Sequence, residues 1–202
     1  MFRIGRYLEN FQSALKALSI SDPVIRVLTI ARQLGYAGYL VLDGFQWAQG
    51  AKAVRFQKET YEKMSKSATR FWLLGLTASL LAGAYKSYKL NERHVAATRP
   101  RPTAEKEAER RVELNQIGSE TLAVRLQMLQ DACDWVNPAT SNGILGLSDG
   151  TIGLTGVVSS LLGARAQWLK VNGAKKFIAT EAFPPFPRAP PRSIPAPRQC
   201  AR

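Results

Sequence analysis

The feature that most constrains the fold is a glycine-rich stretch with few charges, from Ile144 to Trp168. Between Asp149 and Arg165 it carries no charged side chain over fifteen residues. Each of its glycines would cost a soluble helix roughly 1 kcal/mol relative to alanine, whereas glycine is common where helices pack closely inside a bilayer. The stretch therefore predicts a membrane helix at about residues 144–168. Small side chains recur along it every four residues and predict a helix-packing face: Thr151, Thr155, Ser159 and Gly163.

A second stretch, Phe71 to Tyr85, has a similar composition and is also uncharged over fifteen residues. Its small residues at a spacing of four predict a second helix-packing face: Gly75, Ser79 and Gly83. Fifteen residues are fewer than the roughly twenty that a bilayer core requires. Tyrosine, tryptophan and lysine side chains at the ends of the run can lie in the membrane interface, which reduces the number of apolar residues that are missing. We predict two short membrane helices, at about residues 71–90 and 144–168. The alternative is a soluble helical bundle with these two helices at its centre.

The rest of the chain predicts an all-α protein, because helical periodicity is frequent and alternating strand patterns are scarce. We expect amphipathic N-terminal helices, followed by the two glycine-rich helices with a charged helical loop between them. Residues 1–176 are predicted to form one helical membrane-associated domain. Residues 177–202 hold most of the chain's 11 prolines, which predicts a disordered, basic tail.

The net charge of +13 is unevenly distributed. The basic excess is +6 in residues 1–70, zero in residues 86–149 and +7 in residues 150–202. Because lysine and arginine dominate the outer sides of the two predicted membrane helices, the positive-inside rule places both termini in the cytosol. A basic chain is also compatible with nucleic-acid binding, but the sequence contains no recognisable nucleic-acid-binding motif. We therefore expect no nucleic-acid partner.

Residues able to carry catalysis or hold a metal are few. His94 is the only histidine, and Cys133 and Cys200 are the only cysteines, so neither a serine triad nor a histidine-rich metal site can be assembled. Asp131 and Asp134 lie one helical turn apart, which we interpret as a helix end near solvent rather than a pair for acid and base catalysis. The sequence predicts a protein that is not an enzyme, with no catalytic residue, metal or cofactor.

The N-terminal residues 2–18 predict an amphipathic helix, since the apolar side chains fall within an arc of about 120° on a helical wheel. The side chains predicted to insert into a membrane are Ile4, Tyr7, Leu8, Phe11, Leu15 and Leu18. Those predicted to contact anionic lipid are Arg3, Arg6 and Lys16. A helix that packs on a protein core has the same pattern, but the two apolar stretches elsewhere in the chain favour the membrane interface.

Three blocks of sequence, taken together, are similar to those of a known family. They are DPVIRVLTIARQLGYAGYLVLDG (Asp22 to Gly44), RFWLLGLTASLLAGAYKSYKL (Arg70 to Leu90) and LGLSDGTIGLTGVVSSLLGARAQW (Leu145 to Trp168). In order and spacing they resemble the peroxisomal membrane-elongation peroxins, the eleventh peroxin family, and particularly its fungal members. The resemblance covers most of residues 2–170.

The resemblance implies a protein of the peroxisomal membrane that elongates this membrane before fission. It also implies contact with peroxisomal membrane lipids, self-association into homo-oligomers and cooperation with the dynamin-like fission machinery. In the family the remodelling helix is N-terminal, and Phe2 to Leu18 would correspond to its later part. We further expect a member shortened at its start, with a tail after about Lys176 that has no family counterpart. Two hypotheses stay open beside this one, a small-metabolite channel of the peroxisomal membrane and a soluble basic helical scaffold.

Overall fold

The computed structural model describes residues 5–99 and 104–173. Within these ranges the secondary structure is entirely helical, which confirms the predicted all-α class. The helices are α1 (Arg6–Ala17), α2 (Pro23–Gly50), α3 (Lys58–Thr98), α4 (Ala104–Ser141) and α5 (Asp149–Asn172). The chain divides into two compact units, residues 1–164 and residues 165–202. The packing described below is that of the first unit, and the described part of the second is the end of α5 and Gly173.

The first helix lies against the second, and a tight corner joins them. Ala14 and Ala17 of α1 are buried, and α1 is in contact with α2. Helix α2 begins at a proline that follows an aspartate cap: the Oδ1 atom of Asp22 accepts hydrogen bonds from the backbone N–H groups of Val24 (3.0 Å) and Ile25 (3.3 Å). Pro23 suits the first helical position because its missing N–H would have no partner there. The short link therefore folds α1 back onto α2.

Helices α2 and α3 pack in antiparallel directions. Gly35 lies against the backbone of Gly75, and the Tyr39 and Trp72 rings stack with their centroids 5.2 Å apart. At the start of α2, Asp22 contacts Tyr85 in the later half of α3. The residue numbers of the partners thus rise along one helix as they fall along the other. Glycines at the crossing allow the two backbones to approach closely.

Helix α4 packs antiparallel to α3, and α5 in turn contacts α4. Along the pair α3 and α4, the contacts run from Ser79 with Asp131 to Arg93 with Glu120. A small core between their far ends is formed by buried apolar side chains: Leu90, Ala97 and Ile117. Ser159 of α5 donates a hydrogen bond to Asp134 of α4. Helix α4 thus makes contacts with both of the helices that carry glycine-rich stretches.

The structure does not support the two predicted membrane helices. In the part of the chain that the structure describes, none of the helices combines the length and the apolar character that crossing a bilayer requires. The stretch 71–85 is the middle of α3, which extends well beyond the predicted range of 71–90. The helix predicted at 144–168 begins only at Asp149, and its uncharged run ends at Arg165. The physical reason is the length of these runs, since fifteen uncharged residues fall short of the roughly twenty that a span needs.

The charged segment between these stretches also differs from the prediction. It is not a loop that contains a helix but one 38-residue helix, α4, which continues through the buried Pro138. The predicted solvent-facing helix end at Asp131 was wrong as well, because Asp131 is only 3 % exposed. Arg3, Ile4, the predicted domain boundary at residue 176 and the predicted tail 177–202 lie outside the described residues.

Candidate membrane-contact surface

Helix α1 presents its large apolar side chains to solvent. These side chains, here called the apolar face of α1, are spaced three and four residues apart and are 45–66 % exposed: Leu8, Phe11, Leu15 and Leu18. The small side chains of Ala14 and Ala17 are buried instead. A helix that used its apolar face for packing would bury the leucines and expose the alanines. The apolar face of α1 is therefore available to an apolar partner outside the described part of the chain.

The other residues predicted for membrane contact occupy different positions. Arg6 and Lys16 are exposed, at opposite ends of α1. Tyr7 is half-buried, so it contributes less open surface than the four side chains of the apolar face. Arg3 and Ile4 precede the described residues. The described helix thus joins an exposed apolar face with two exposed cations.

The corner between α1 and α2 is held by Arg26, a residue that the sequence patterns did not single out. Its Nε donates to the carbonyl oxygen of Ile20 (2.9 Å), and its Nη2 donates to that of Ser21 (3.3 Å). Both carbonyls belong to the link between the helices. Since a guanidinium binds two acceptors in a fixed geometry, Arg26 fixes the direction in which α1 leaves α2.

Asp22 ties the same corner to α3. Its Oδ2 accepts a hydrogen bond from the Tyr85 hydroxyl (3.1 Å) and lies 3.5 Å from the Nζ of Lys89. Desolvation raises the pKa of the Asp22 carboxyl, but the hydrogen bonds from the Ile25 amide and the Tyr85 hydroxyl outweigh it, and the net pKa is below the usual 3.8. The hydrogen bond and charge of Tyr85, together with Asp22, raise the pKa of Lys89. Both groups therefore keep their charges at neutral pH.

The first predicted helix-packing face, on α3, packs within the chain. Gly75 lies against α2, where a Cβ atom would come 3.2 Å from the Tyr36 ring. Ser79 is buried and donates a hydrogen bond to Asp131 of α4, and Gly83 lies against the Met128 side chain. This face therefore contacts two different helices, one at each end.

The second predicted face, on α5, divides into two halves. Ser159 is buried and donates to Asp134, and a Cβ on Gly163 would lie 3.3 Å from the Nε2 atom of Gln130. Thr155 is half-buried and bonds to the Ile152 carbonyl of its own helix, while Thr151 is exposed. Only the later half of this face thus contacts α4. Each of the two predicted faces has a serine that donates a hydrogen bond to an aspartate of α4.

The two serines meet an acidic pair, the buried Asp131 and the half-buried Asp134, that the sequence analysis interpreted wrongly. Asp131 accepts from Ser79 and from the Nε2 of Gln127 (2.9 Å), and Asp134 accepts from Ser159. Burial raises the pKa of Asp134; its bond from Ser159 lowers it, and the charge of Asp131 raises it further. Across residues 5–99 and 104–173, no three carboxylate, thiol or imidazole side chains are grouped so that they could hold a metal ion. The pair accepts hydrogen bonds from Ser79 of α3 and Ser159 of α5, and it thereby links α4 to both helices.

Fold and surface together define a class of protein: a helical bundle that carries an amphipathic surface helix with its apolar face uncovered. The sequence pattern of Peroxisomal biogenesis factor 11 (PEX11) matches residues 1–168, and the chain belongs to this family. No solved structure matches the chain significantly.

Curated relatives agree with the family match. The chain is 25% identical over 182 residues to peroxisomal membrane protein PMP30B of Candida boidinii, an alignment that covers 81% of this chain and 71% of the relative. It is 26% identical over 200 residues to human peroxisomal membrane protein 11B, with 80% and 73% covered. It is 23% identical over 172 residues to PMP27 of Saccharomyces cerevisiae, with 82% and 72% covered.

These comparisons confirm the resemblance found in the three sequence blocks. The chain is a peroxisome biogenesis factor of the peroxisomal membrane with a general role in peroxisome proliferation. The family is one of biogenesis factors rather than of enzymes.

Proposed function

We propose that this protein elongates the peroxisomal membrane ahead of fission by inserting the apolar face of α1 into one leaflet. The observation that carries the proposal is the exposure of Leu8, Phe11, Leu15 and Leu18 on a helix whose small residues are buried. A helix of this kind lies in the plane of the membrane, about 5–10 Å deep at the boundary between headgroups and acyl chains. Because it occupies one leaflet only, it expands that leaflet and bends the membrane.

The energies favour an interaction driven mainly by apolar burial. A large apolar side chain transferred fully from water contributes roughly 1.5–3 kcal/mol, so the exposed halves of the four side chains supply about 3–6 kcal/mol. Each cation near an anionic surface adds about 1 kcal/mol, and Arg6 and Lys16 together add about 2 kcal/mol. Binding should therefore weaken with salt but persist, since screening acts only on the smaller contribution.

The attachment of α1 to the bundle explains how insertion would act on the whole protein. Burial of Ala14 and Ala17 holds α1 on α2, and Arg26 and Asp22 fix the corner that joins them. A helix mounted in this way presents its apolar face in a fixed direction. Insertion would then hold the bundle at the membrane surface in one orientation.

Vesicle flotation with single substitutions in α1 tests this proposal. Leu15→Asp places a charge in the apolar face and should abolish binding to vesicles that contain anionic lipid. Gln12→Asp is the matched control, because it adds the same charge on the exposed polar side of the same helix and should preserve most of the binding. Equal flotation of the two variants would show that the apolar face of α1 does not contact lipid.

Self-association and cooperation with the dynamin-like fission machinery are parts of the proposal that rest on family resemblance, whereas cytosolic termini rest on the distribution of lysine and arginine along the chain. For self-association there is support from α5, where Leu154, Val157 and Leu161 are 57–67 % exposed. Their spacing of three and then four residues is that of a helix–helix contact. We therefore propose that two copies meet through this exposed side of α5.

A further inference from the structure

A groove of about 370 Å³ lies between α3 and α4, apart from the apolar face of α1. Its volume is within the range of about 300–1,000 Å³ that small-molecule sites occupy. Helix α3 lines it with Lys86, Lys89, Leu90 and Arg93, and α4 lines it with Ala123 and Val124. Lys89 also contacts Asp22, so the groove begins where α2 starts.

The groove joins an apolar floor to a cationic rim. Leu90 is buried at its base and Val124 is half-buried beside it. The exposed Lys86, Lys89 and Arg93 follow one another at intervals of three and four residues, which brings them to one side of α3. The one carboxylate in the lining is Glu120, so the lining carries an excess of two positive charges. Such a groove fits a ligand that is anionic at one end and apolar at the other.

The three cations differ in whether a carboxylate of the protein already lies beside them. Arg93 forms an ion pair with Glu120 (3.0 Å), and Lys89 lies 3.5 Å from Asp22. Among the described residues Lys86 has no ion-pair partner, although it lines the same groove. An anion that enters the groove would therefore be attracted most strongly by Lys86.

We propose that this groove binds the headgroup of an anionic glycerophospholipid, with its phosphate at Lys86 and Lys89 and the beginning of an acyl chain along Leu90 and Val124. The inference adds a second lipid contact to that of α1, and it rests on the proposed function only in that a membrane supplies the ligand. A phosphate at Lys89 competes with Asp22 for the ammonium group. Occupancy of the groove thus reaches the corner from which α1 extends.

Calorimetric titration of the purified full-length protein with dihexanoyl phosphatidylserine, kept below its micellar concentration, tests the inference. Lys86→Gln should weaken binding about fivefold, the effect of losing one cation near a phosphate. Ala123→Trp should abolish binding by filling the groove without a change of charge. Lys66→Gln is the matched control: it removes an exposed cation of α3 outside the groove and should bind like the wild type.

Other probes separate this lipid from related ligands. We expect dihexanoyl phosphatidylcholine, inorganic phosphate and octanoate to bind at least tenfold more weakly than dihexanoyl phosphatidylserine. Equal binding of octanoate would overturn the inference in favour of a carboxylate site, and equal binding of phosphate would overturn it in favour of a simple anion site. Wild-type affinity in both Lys86→Gln and Ala123→Trp would show that the groove is not the site.

The α1 variant Leu15→Asp distinguishes a failure of this inference from a failure of the proposed function. It should lose vesicle flotation but retain binding of dihexanoyl phosphatidylserine. Loss of both flotation and short-chain lipid binding would show that this lipid binds at α1. That result would overturn the proposed groove site but not the proposed role of α1. Retention of flotation together with groove binding would leave the groove standing and contradict the proposed role of α1.

Discussion

Gly35 of α2 and Gly75 of α3 meet backbone to backbone: a Cβ atom on Gly35 would lie 2.7 Å from the amide nitrogen of Gly75. No side chain fits at that distance, so glycine at position 35 sets how closely the two helices pack. On the other side of the contact, a Cβ on Gly75 would meet the Tyr36 ring at 3.2 Å. A Cβ on Gly75 would also lie 3.3 Å from the carbonyl oxygen of Arg32, so its contacts are tight but longer than those of Gly35, and the two glycines differ in how strictly they are required.

We therefore expect Gly35→Ala to destabilise the protein by about 1–3 kcal/mol, the usual cost of overpacking a tight interface. Gly75→Ala should cost less than Gly35→Ala. Gly44→Ala is the control: it lies on the same helix with nothing within 4 Å of its Cβ position, and it should gain roughly 1 kcal/mol in helix propensity. Urea denaturation followed by circular dichroism measures all three. If Gly35→Ala and Gly44→Ala have the same stability, the close contact of α2 and α3 is absent.

The buried bond from Ser79 to Asp131 gives a second prediction. Ser79→Ala removes one of two side-chain hydrogen bonds to a carboxylate that is 3 % exposed, and should cost about 1–3 kcal/mol. The control is Ser119→Ala, which replaces an exposed serine that bonds only the Gln116 carbonyl of its own helix. Its free energy of unfolding should stay within about 0.5 kcal/mol of the wild type. Thermal denaturation of both variants measures the difference, and equal stability of Ser79→Ala and Ser119→Ala would show that this hydrogen bond does not support the fold.

The pH dependence of stability should reveal Asp134. Burial raises its pKa above 3.8 in the folded state, so the folded protein holds this proton more tightly than the unfolded chain does. The stability that protonated Asp134 contributes is present at low pH and is lost as the pH rises from about 4 through the raised pKa. Asp134→Asn keeps an oxygen that can accept from Ser159 but never ionises. Its stability relative to the wild type should increase between pH 3 and about pH 7, and a constant difference across this range would contradict the account.

The helical class was predictable because it depends on periodicity over long segments, which single residues do not alter. The predicted membrane spans are not supported by the structure, in which small residues of the kind that also mark a bilayer helix bring α2, α3 and α4 close together, as at Gly75 and Ser79. Local composition alone does not distinguish the two uses. What decides is whether a run without charges is long enough, and fifteen residues are not.

Of the candidate site, the amphipathic pattern of α1 was visible in the sequence, but the direction of its apolar face was not. That direction depends on which of its residues α2 buries, namely Ala14 and Ala17. The contact of Asp22 with Tyr85 and the hydrogen bond from Arg26 to the Ile20 carbonyl also escaped prediction. Asp22 contacts a residue 63 positions away in the chain, which no local pattern encodes.

Self-association through α5 can be tested by charge placement on its exposed side. Val157→Asp puts a carboxylate between Leu154 and Leu161 and should reduce the yield of crosslinked dimers several-fold, because a charge buried between two helices is strongly disfavoured. Ser160→Asp adds the same charge at an exposed position of the same helix outside this spacing and should crosslink like the wild type. Unchanged dimers in Val157→Asp would place the contact between copies elsewhere.

The most direct test of the central claim is electron microscopy of vesicles containing anionic lipid, incubated with wild-type protein, Leu8→Asp or Gln12→Asp. Leu8 is 54 % exposed on the apolar face of α1, so a charge there should prevent insertion without disturbing the packing of α1 on α2. We expect wild type and Gln12→Asp to draw the vesicles into tubules, and Leu8→Asp to leave them spherical. Equal tubulation by Leu8→Asp and the wild type would contradict the claim that α1 insertion remodels the membrane.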